Sequence, residues 1–479
     1  MARKIFRIRA VTFITLLVIC IVPFFCLFFV TVKMMNEPPK NDREELLNRI
    51  NQYIKSENKN LAHEGLACRV PILDVNAKEI LDLIQPVPKV ICNKTKDWVE
   101  VHGSILKISD WAKIKYGFIK CSFTDIIRET DHVQHQGMTT SSSTEYNLEN
   151  SDVVQVFCMS ENVQWKKVLT GIRSDQTIFD RSGWSKIPDD SLRLNVLIFG
   201  FDSLSHNMWK RLLPKTYKYA TENMKGIPLN GYNIVGDGTP QALIPILTGR
   251  TELELPDTRK RKGSYAEYVN VYPFIWNDYK KNGYVTAWSE DMVNVGTFTY
   301  RLKGFKEQPV DHYMRTFYIE ASPKFDREEK FCYGGMSRFN IMLDFMNNMY
   351  EVYRDKPKFV FAFHSEYSHD SNNWVVNADD DTYNWLKGFN RKGYFNNTLL
   401  ILMSDHGSRF AEVRNTQQGK QEERLPGFIF VFPPWFEKKY PEGYANFLNN
   451  ANKLTTPFDI HETLKDVLHF RGSGKGNLI

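Results

Sequence analysis

The chain has 479 residues, 42% hydrophobic and 25% charged, the composition of an ordinary folded protein long enough for two domains. Its net charge is +6, but Arg3, Lys4, Arg7, Arg9 and Lys33 account for five of those charges and flank a single segment. The remainder is close to neutral, which excludes an electrostatic case for nucleic-acid binding.

In chain order, residues 1–9 form a basic tail and residues 10–32 are apolar, uncharged and long enough to span a bilayer. The basic residues in front of this run place the N-terminus in the cytoplasm. The run is longer than a typical signal-peptide core, and no small-x-small cleavage site follows it. The expectation is a single-pass type II membrane protein with a signal anchor at 10–32 and the bulk of the chain lumenal or extracellular. Residues 33–66 read as a polar stalk in which Leu46, Leu47, Ile50, Tyr53 and Ile54 fall at helical spacing.

Residues 67–193 read as an accessory domain of several strands. Cys68, Cys92, Cys121 and Cys158 form an even set there, which predicts two disulfides of open pairing and leaves Cys332 as the odd cysteine. Asn93 and Asn396 head N-x-T sequons and are the expected glycosylation sites. His132 and His135 beside Asp131 read as solvated loop residues.

From residue 194 onward the pattern alternates between short apolar runs and helical segments. Strands are predicted at 194–201, 284–288, 358–363, 397–403 and 427–432, and helices at 210–222, 239–247 and 457–467. This alternation predicts an α/β domain over residues 194–479, a mostly parallel sheet with helices on its faces. The strand at 194–201 runs into Asp202, the one at 284–288 into Glu290 and Asp291, that at 358–363 into His364 and Glu366, and that at 397–403 into Asp405 and His406. In open α/β sheets ligands sit outside the carboxyl ends of strands, so such ends on one sheet edge make a site plausible, with Asp202 placed where a metal or catalytic carboxylate would be. The basic cluster at 259–262 reads as a solvated loop.

Thr239 follows a turn bearing Gly236 and Gly238 and precedes Pro240, which predicts Thr239 as the N-cap of a helix. Its hydroxyl would face free backbone N–H groups and the positive end of the helix dipole, a setting that favours an anionic substrate. Asp202, Thr239, Asp405 and His406 together offer two carboxylates, an imidazole and a hydroxyl. That donor set suits a divalent cation, zinc first and manganese second. Such an ion would activate the threonine hydroxyl for attack on phosphorus or sulfur in an anionic ester.

The segments Phe201, Asp202, Ser203; Gly238, Thr239, Pro240; Leu247 to Arg250; and Ser404 to Gly407 resemble the alkaline phosphatase–sulfatase superfamily. The resemblance is closest to its sulfatase-like membrane branch of unknown function, the DUF229 family. It implies that Asp202, Asp405 and His406 bind one metal and that Thr239 is the nucleophile and touches that metal. It also suggests a second ion, for which Glu366, His369 and His461 are the candidates, and a cation on the substrate anion, for which Lys420 is the candidate. Classical sulfatases convert a cysteine or serine to formylglycine, and that position here holds Thr239. They commonly carry a second aspartate where Ser203 stands. Both departures favour phosphoester chemistry over sulfatase chemistry. The rival reading is a catalytically inactive ectodomain that binds a ligand or partner.

Overall fold

A computed structural model describes residues 70–92, 96–327 and 330–470. The expected tail, anchor and stalk (1–66), Cys68 and Asn93 lie outside these residues. Among the described residues no helix is long and apolar enough to cross a membrane.

The first half of the chain is built on antiparallel pairing. β1 (Val99–His102), β2 (Ile105–Ile108) and β5 (Glu145–Asn147) form a three-stranded sheet in the order β1-β2-β5. β3 (Lys120–Arg128), β4 (Gln134–Ser142), β6 (Val153–Ser160) and β7 (Val163–Thr170) form a four-stranded sheet in the order β4-β3-β6-β7. Phe123, Val154, Val156 and the cystine Cys121–Cys158 fill a small core between them.

The second half carries the seven-stranded sheet. Its strands are β8 (Asn195–Phe201), β9 (Ile227–Pro228), β10 (Val285–Glu290), β11 (His312–Tyr313), β14 (Lys358–His364), β15 (Thr398–Ser404) and β16 (Phe428–Val431). They lie in the order β11-β10-β14-β8-β15-β16-β9. The pairs from β11 to β15 are parallel, and the pairs of β16 with β15 and β9 are antiparallel. The mostly parallel sheet expected from the alternation is therefore present, with an antiparallel margin. A separate hairpin pairs β12 (Cys332–Tyr333) with β13 (Met336–Ser337).

β8 is central, and all seven of its residues are buried. Its side chains alternate, as a pleated strand requires. Leu197, Phe199 and Phe201 enter one core, with α1 (His206–Leu212), α5 (Arg338–Val352) and α6 (Asp379–Arg391). Val196 and Ile198 enter the other, with α2 (Thr239–Thr248), α3 (Ile275–Lys281) and α8 (Pro457–Leu468). Two further helices matter below, α4 (Arg315–Arg327) and α7 (Gln417–Glu422). The helix expected over 210–222 is broken, because Pro214 cannot continue the backbone ladder and starts a new turn.

The described residues form one unit, and polar ties join its antiparallel and parallel sheets. His312 on β11 places Nδ1 2.9 Å from Asp152 and Nε2 2.9 Å from the Tyr353 hydroxyl. Asp131 accepts from the Phe305 N–H and pairs with Arg128. Asp131 is thus a buried structural carboxylate and His132 is exposed, while His135, expected in a loop, lies exposed on β4 and pairs with Glu129 at 2.8 Å. The cysteine pairing departs from expectation. Cys332 is not left over; it pairs with Cys92 across 240 residues, and Cys121 pairs with Cys158. The β12–β13 hairpin carries Cys332 to the accessory segment, a juxtaposition that spacing along the chain does not reveal.

Candidate functional site

The site is assembled at the carboxyl ends of β8 and β15, which are hydrogen-bonded neighbours. Asp202 ends β8, buried, with its N–H donating to the His364 carbonyl at 3.0 Å. Ser203 then turns the chain with φ at 60°, a conformation unfavourable for a residue with a side chain. Three hydrogen bonds hold it there. Its N–H donates to Asp405 Oδ1 at 2.9 Å, its hydroxyl donates to Asp202 Oδ1 at 2.7 Å, and its carbonyl accepts from Asn372 at 3.0 Å. The strained turn thereby aims both carboxylates at one point.

β15 delivers Asp405 and His406, both buried. Asp405 Oδ1 accepts from the N–H groups of Ser203 and His406. Its Oδ2 has no hydrogen-bond partner and lies 3.1 Å from His406 Nε2, which also has none. His406 Nδ1 lies 2.8 Å from the Gly407 carbonyl and donates to it, which leaves the lone pair on Nε2. That nitrogen is 3.9 Å from Asp202 Oδ1. Gly407 must be glycine: a Cβ there would meet the Glu422 carbonyl oxygen at 2.4 Å.

One ligand atom from each of Asp202, Asp405 and His406 lies within 4.8 Å of the others, the one such group of His, Cys, Asp or Glu among the described residues. Burial pushes Asp202 up to about 6, and the neighbouring Asp405 charge adds to the shift. Burial likewise pushes Asp405 up to about 6 and lowers His406. Two desolvated carboxylates and a neutral imidazole with an unshared lone pair are costly when left to themselves. The same set fits a divalent cation, which neutralises the carboxylates and takes the free lone pair.

Thr239 stands at the mouth of this group, half-buried, and its side chain acts to lower the Asp405 carboxyl against the rise that burial causes. The helix cap falls one residue earlier than expected. Gly238, at φ 123°, is the N-cap of α2, and Thr239 is the first helical residue. Glycine suits that backbone, and a Cβ there would lie 3.1 Å from Arg409 Nη1.

Arg409 is a site residue that the sequence reading did not select. Its guanidinium reaches back over the start of α2, with Nη1 3.2 Å from Asp237 Oδ1 and Nε buried without a partner. Its charge acts on both Asp405 and His406. The signal was available, since Arg409 follows His406 by three residues in the same motif. The guanidinium lies 5.2 Å from the Phe410 ring, which in turn packs at 5.2 Å on His369. His369 therefore borders the site, and its charge is felt at Asp202.

The other candidates are engaged elsewhere. Glu366 is ion-paired with Arg338 and with Lys330 at 3.1 Å. His461 Nδ1 donates to the Ile246 carbonyl at 3.0 Å, and its ring packs on Gly249. It joins α8 to α2. Lys420 is exposed on α7, whose Glu422 is held by Ser205 and Arg211. Glu366, His369 and His461 thus do not converge, and the second metal set expected from the resemblance is not assembled. Asn396 is exposed, as a sequon asparagine must be.

A buried Asp/Asp/His group with an adjacent threonine at the edge of a mostly parallel sheet defines an α/β protein with a candidate metal centre. The chain belongs to the family described as "Protein of unknown function (DUF229)", whose model matches residues 85–478. Among solved structures the chain is similar to a protein in the alkaline phosphatase superfamily from Vibrio parahaemolyticus, at 13% identity, TM-score 0.38, covering 61% of this chain and 75% of that one. It is also similar to the lipoteichoic acid synthase LtaP from Listeria monocytogenes, at 14% identity and TM-score 0.36 over 54% and 71% of the two chains. A third is Ps i-CgsB in complex with k-i-k-neocarrahexaose, at 13% identity and TM-score 0.39 over 58% and 72%. No curated protein matches the chain.

Proposed function

We propose that the chain is a metal-dependent hydrolase or transferase acting on phosphate esters, or related sulfate esters, with Thr239 as covalent nucleophile. The observation that carries this reading is the buried Asp202, Asp405 and His406 group, with Asp405 Oδ2 and His406 Nε2 unpartnered and the Thr239 side chain acting on the Asp405 carboxylate. Asp202, Asp405 and His406 would hold one divalent ion, zinc by the mixed N/O donors, and the ion when bound would lower the pKa of the threonine hydroxyl and offset the charge of the ester. The N–H groups at the start of α2 and the Arg409 guanidinium receive the non-bridging oxygens of the substrate. The Thr239 oxygen bonds to phosphorus as the ester oxygen leaves, and its proton passes to solvent. Water or an acceptor hydroxyl then displaces Thr239 and regenerates it.

The two cystines, Cys92–Cys332 and Cys121–Cys158, suit an oxidising space, which supports the reading of a lumenal or extracellular site behind an anchor at 10–32. The second reading, an inactive binding ectodomain, draws on the diversion of Glu366 into ion pairs with Arg338 and Lys330.

The test is turnover of an aryl phosphate and an aryl sulfate by the purified protein with added zinc or manganese. Thr239→Ala is expected to lose roughly 10⁴-fold or more in rate. Metal content of one ion per chain accompanies that result. Turnover that survives Thr239→Ala would remove the nucleophile assignment, and folded wild-type protein that takes up metal without turnover would establish the binding reading.

A further inference from the structure

The β12–β13 hairpin, α4, α5 and the edge strands β1 and β7 meet around a cavity of about 560 Å³. That volume lies in the range of small-molecule sites, about 300–1,000 Å³. Its floor is apolar: Val99, Leu169, Phe317, Tyr333 and Phe345 line it, and all five are buried. Fixed contacts hold the walls. The Cys92–Cys332 bridge pins the hairpin, Val168 N–H donates to the Tyr333 hydroxyl at 3.1 Å, and Lys167 Nζ donates to the Tyr333 carbonyl at 2.9 Å. On the other wall, Asn348 of α5 accepts from the Gly103 N–H at 3.1 Å.

The charged groups around this space are matched, with one exception. Asp97 pairs with Lys167 at 2.6 Å, and Glu100 with His102 at 3.6 Å. Lys96 holds its ammonium over the Trp111 ring, 4.7 Å from the centroid. Asp344, exposed on α5, has no Lys, Arg or His partner among the described residues and accepts only from Asn347 Nδ2 at 3.3 Å. Lys392, whose charge acts on it, is paired with Glu351 at 2.7 Å. The lining therefore sets three carboxylates, Asp97, Glu100 and Asp344, against two lysines, and the surplus charge sits on Asp344.

We infer that this cavity binds a small amphipathic amine, its apolar body on the floor and its ammonium at Asp344. Burial of the body removes apolar surface from water on both sides. The ammonium supplies the charge-assisted hydrogen bond that no protein cation gives Asp344. An anionic ligand of the same shape meets the surplus negative charge while both lysines are already engaged. This inference is independent of the catalytic reading, since none of these residues belongs to the Asp202, Asp405 and His406 group.

The test uses the full chain in zwitterionic lipid discs, with empty discs as the blank, and titration calorimetry of three probes of one shape: diphenylpropylamine, diphenylpropanol and diphenylpropionate. The amine is expected to saturate one site per chain and to bind roughly 10-fold or more tighter than the alcohol, with the carboxylate weakest. Asp344→Asn removes the charge at an exposed position. It is expected to bring the amine to the affinity of the alcohol and to leave the melting temperature unchanged. Ile341→Trp places a larger side chain in the lining and is expected to abolish binding of all three. No saturable binding of the amine overturns the inference, as do equal affinities of amine and alcohol. An amine preference that survives Asp344→Asn overturns it as well, and that variant decides the matter even where Ile341→Trp does not fold.

Discussion

Two neighbouring groups at the same sheet edge hold the same residue types and differ in what completes them. At the ends of β8 and β15, Asp202, Asp405 and His406 converge with two of their atoms unpartnered. At the ends of β10 and β14, Asp291, His364 and Glu366 lie near one another without forming such a group, and protein cations reach Glu366. Asp291 Oδ2 lies 3.0 Å from His364 Nδ1, and Glu366 is paired with Arg338 and Lys330. Burial raises Glu366 as it raises the carboxylates of the first group, and the contrast lies in Asp291. Burial drives Asp202 and Asp405 up to about 6. Burial acts on Asp291 in the same direction, yet the adjacent His364, followed by Arg338, holds it below the usual carboxylate range. Carboxylates and histidines at strand ends therefore do not by themselves mark a metal site. What sets the first group apart is that its two carboxylates meet no Lys or Arg ion pair, whereas Glu366 is held by two.

Substitutions at the two groups are expected to fail in different ways. Asp405→Asn removes one ligand and is expected to abolish metal uptake, read by elemental mass spectrometry, with the fold retained; unchanged metal content would refute the assignment. Glu366→Gln is expected to leave metal content intact and to destabilise the fold by about 3–5 kcal/mol, because Arg338 is left buried with its charge uncompensated. Chemical denaturation measures that loss, and a variant that instead loses metal would return Glu366 to the candidate ligands.

Arg409→Ala bears on the open side of the first group. It is expected to raise KM for an anionic ester by roughly 10- to 100-fold, the worth of a charged hydrogen bond, with metal content unchanged. An effect confined to kcat would move Arg409 from anion binding to another role.

The smallest effect is expected at the opposite end of β14. Lys358 is buried there, its ammonium over the Tyr350 ring, and burial lowers it to about 7. The unfolded chain holds that proton up to about 10.5 while the folded chain gives it up near 7. Between those values the unfolded state binds more protons, so stability rises with pH over the window. Lys358→Met is expected to flatten the rise in melting temperature between pH 7 and 10, and a slope that persists would assign it to another group.

Much of the candidate site was legible because local signals carried it. The buried runs at β8, β14 and β15 are marked by composition, and the polar residue after each run marks where the backbone leaves the sheet. Thr239 was legible from its neighbours, since Gly238 and Pro240 bracket a helix start. The cap was misplaced by one residue because the backbone conformation of Gly238, not the threonine side chain, makes the turn. Glu366 and His461 were named because their residue types fitted a ligand set, whereas the partners the structure gives them, Arg338 and the Ile246 carbonyl, lie 28 and 215 residues away. The helices Arg338–Val352 and Asp379–Arg391, which cover one face of the sheet, were not anticipated at all.

The sequence by itself determined the periodic elements, the carboxylates at strand ends, the threonine at a helix start and the cysteine content, because each is written in a few adjacent residues. Only the tertiary structure decided the strand order β14-β8-β15, which sets Asp202 beside Asp405. It alone decided the pairing of Cys92 with Cys332, the reach of Arg409 over α2 and the cavity between β1, β7 and α5. The physical reason is the same in each case: these features depend on which surfaces meet across tens to hundreds of residues. Burial of apolar faces chooses that meeting, and no local pattern encodes it.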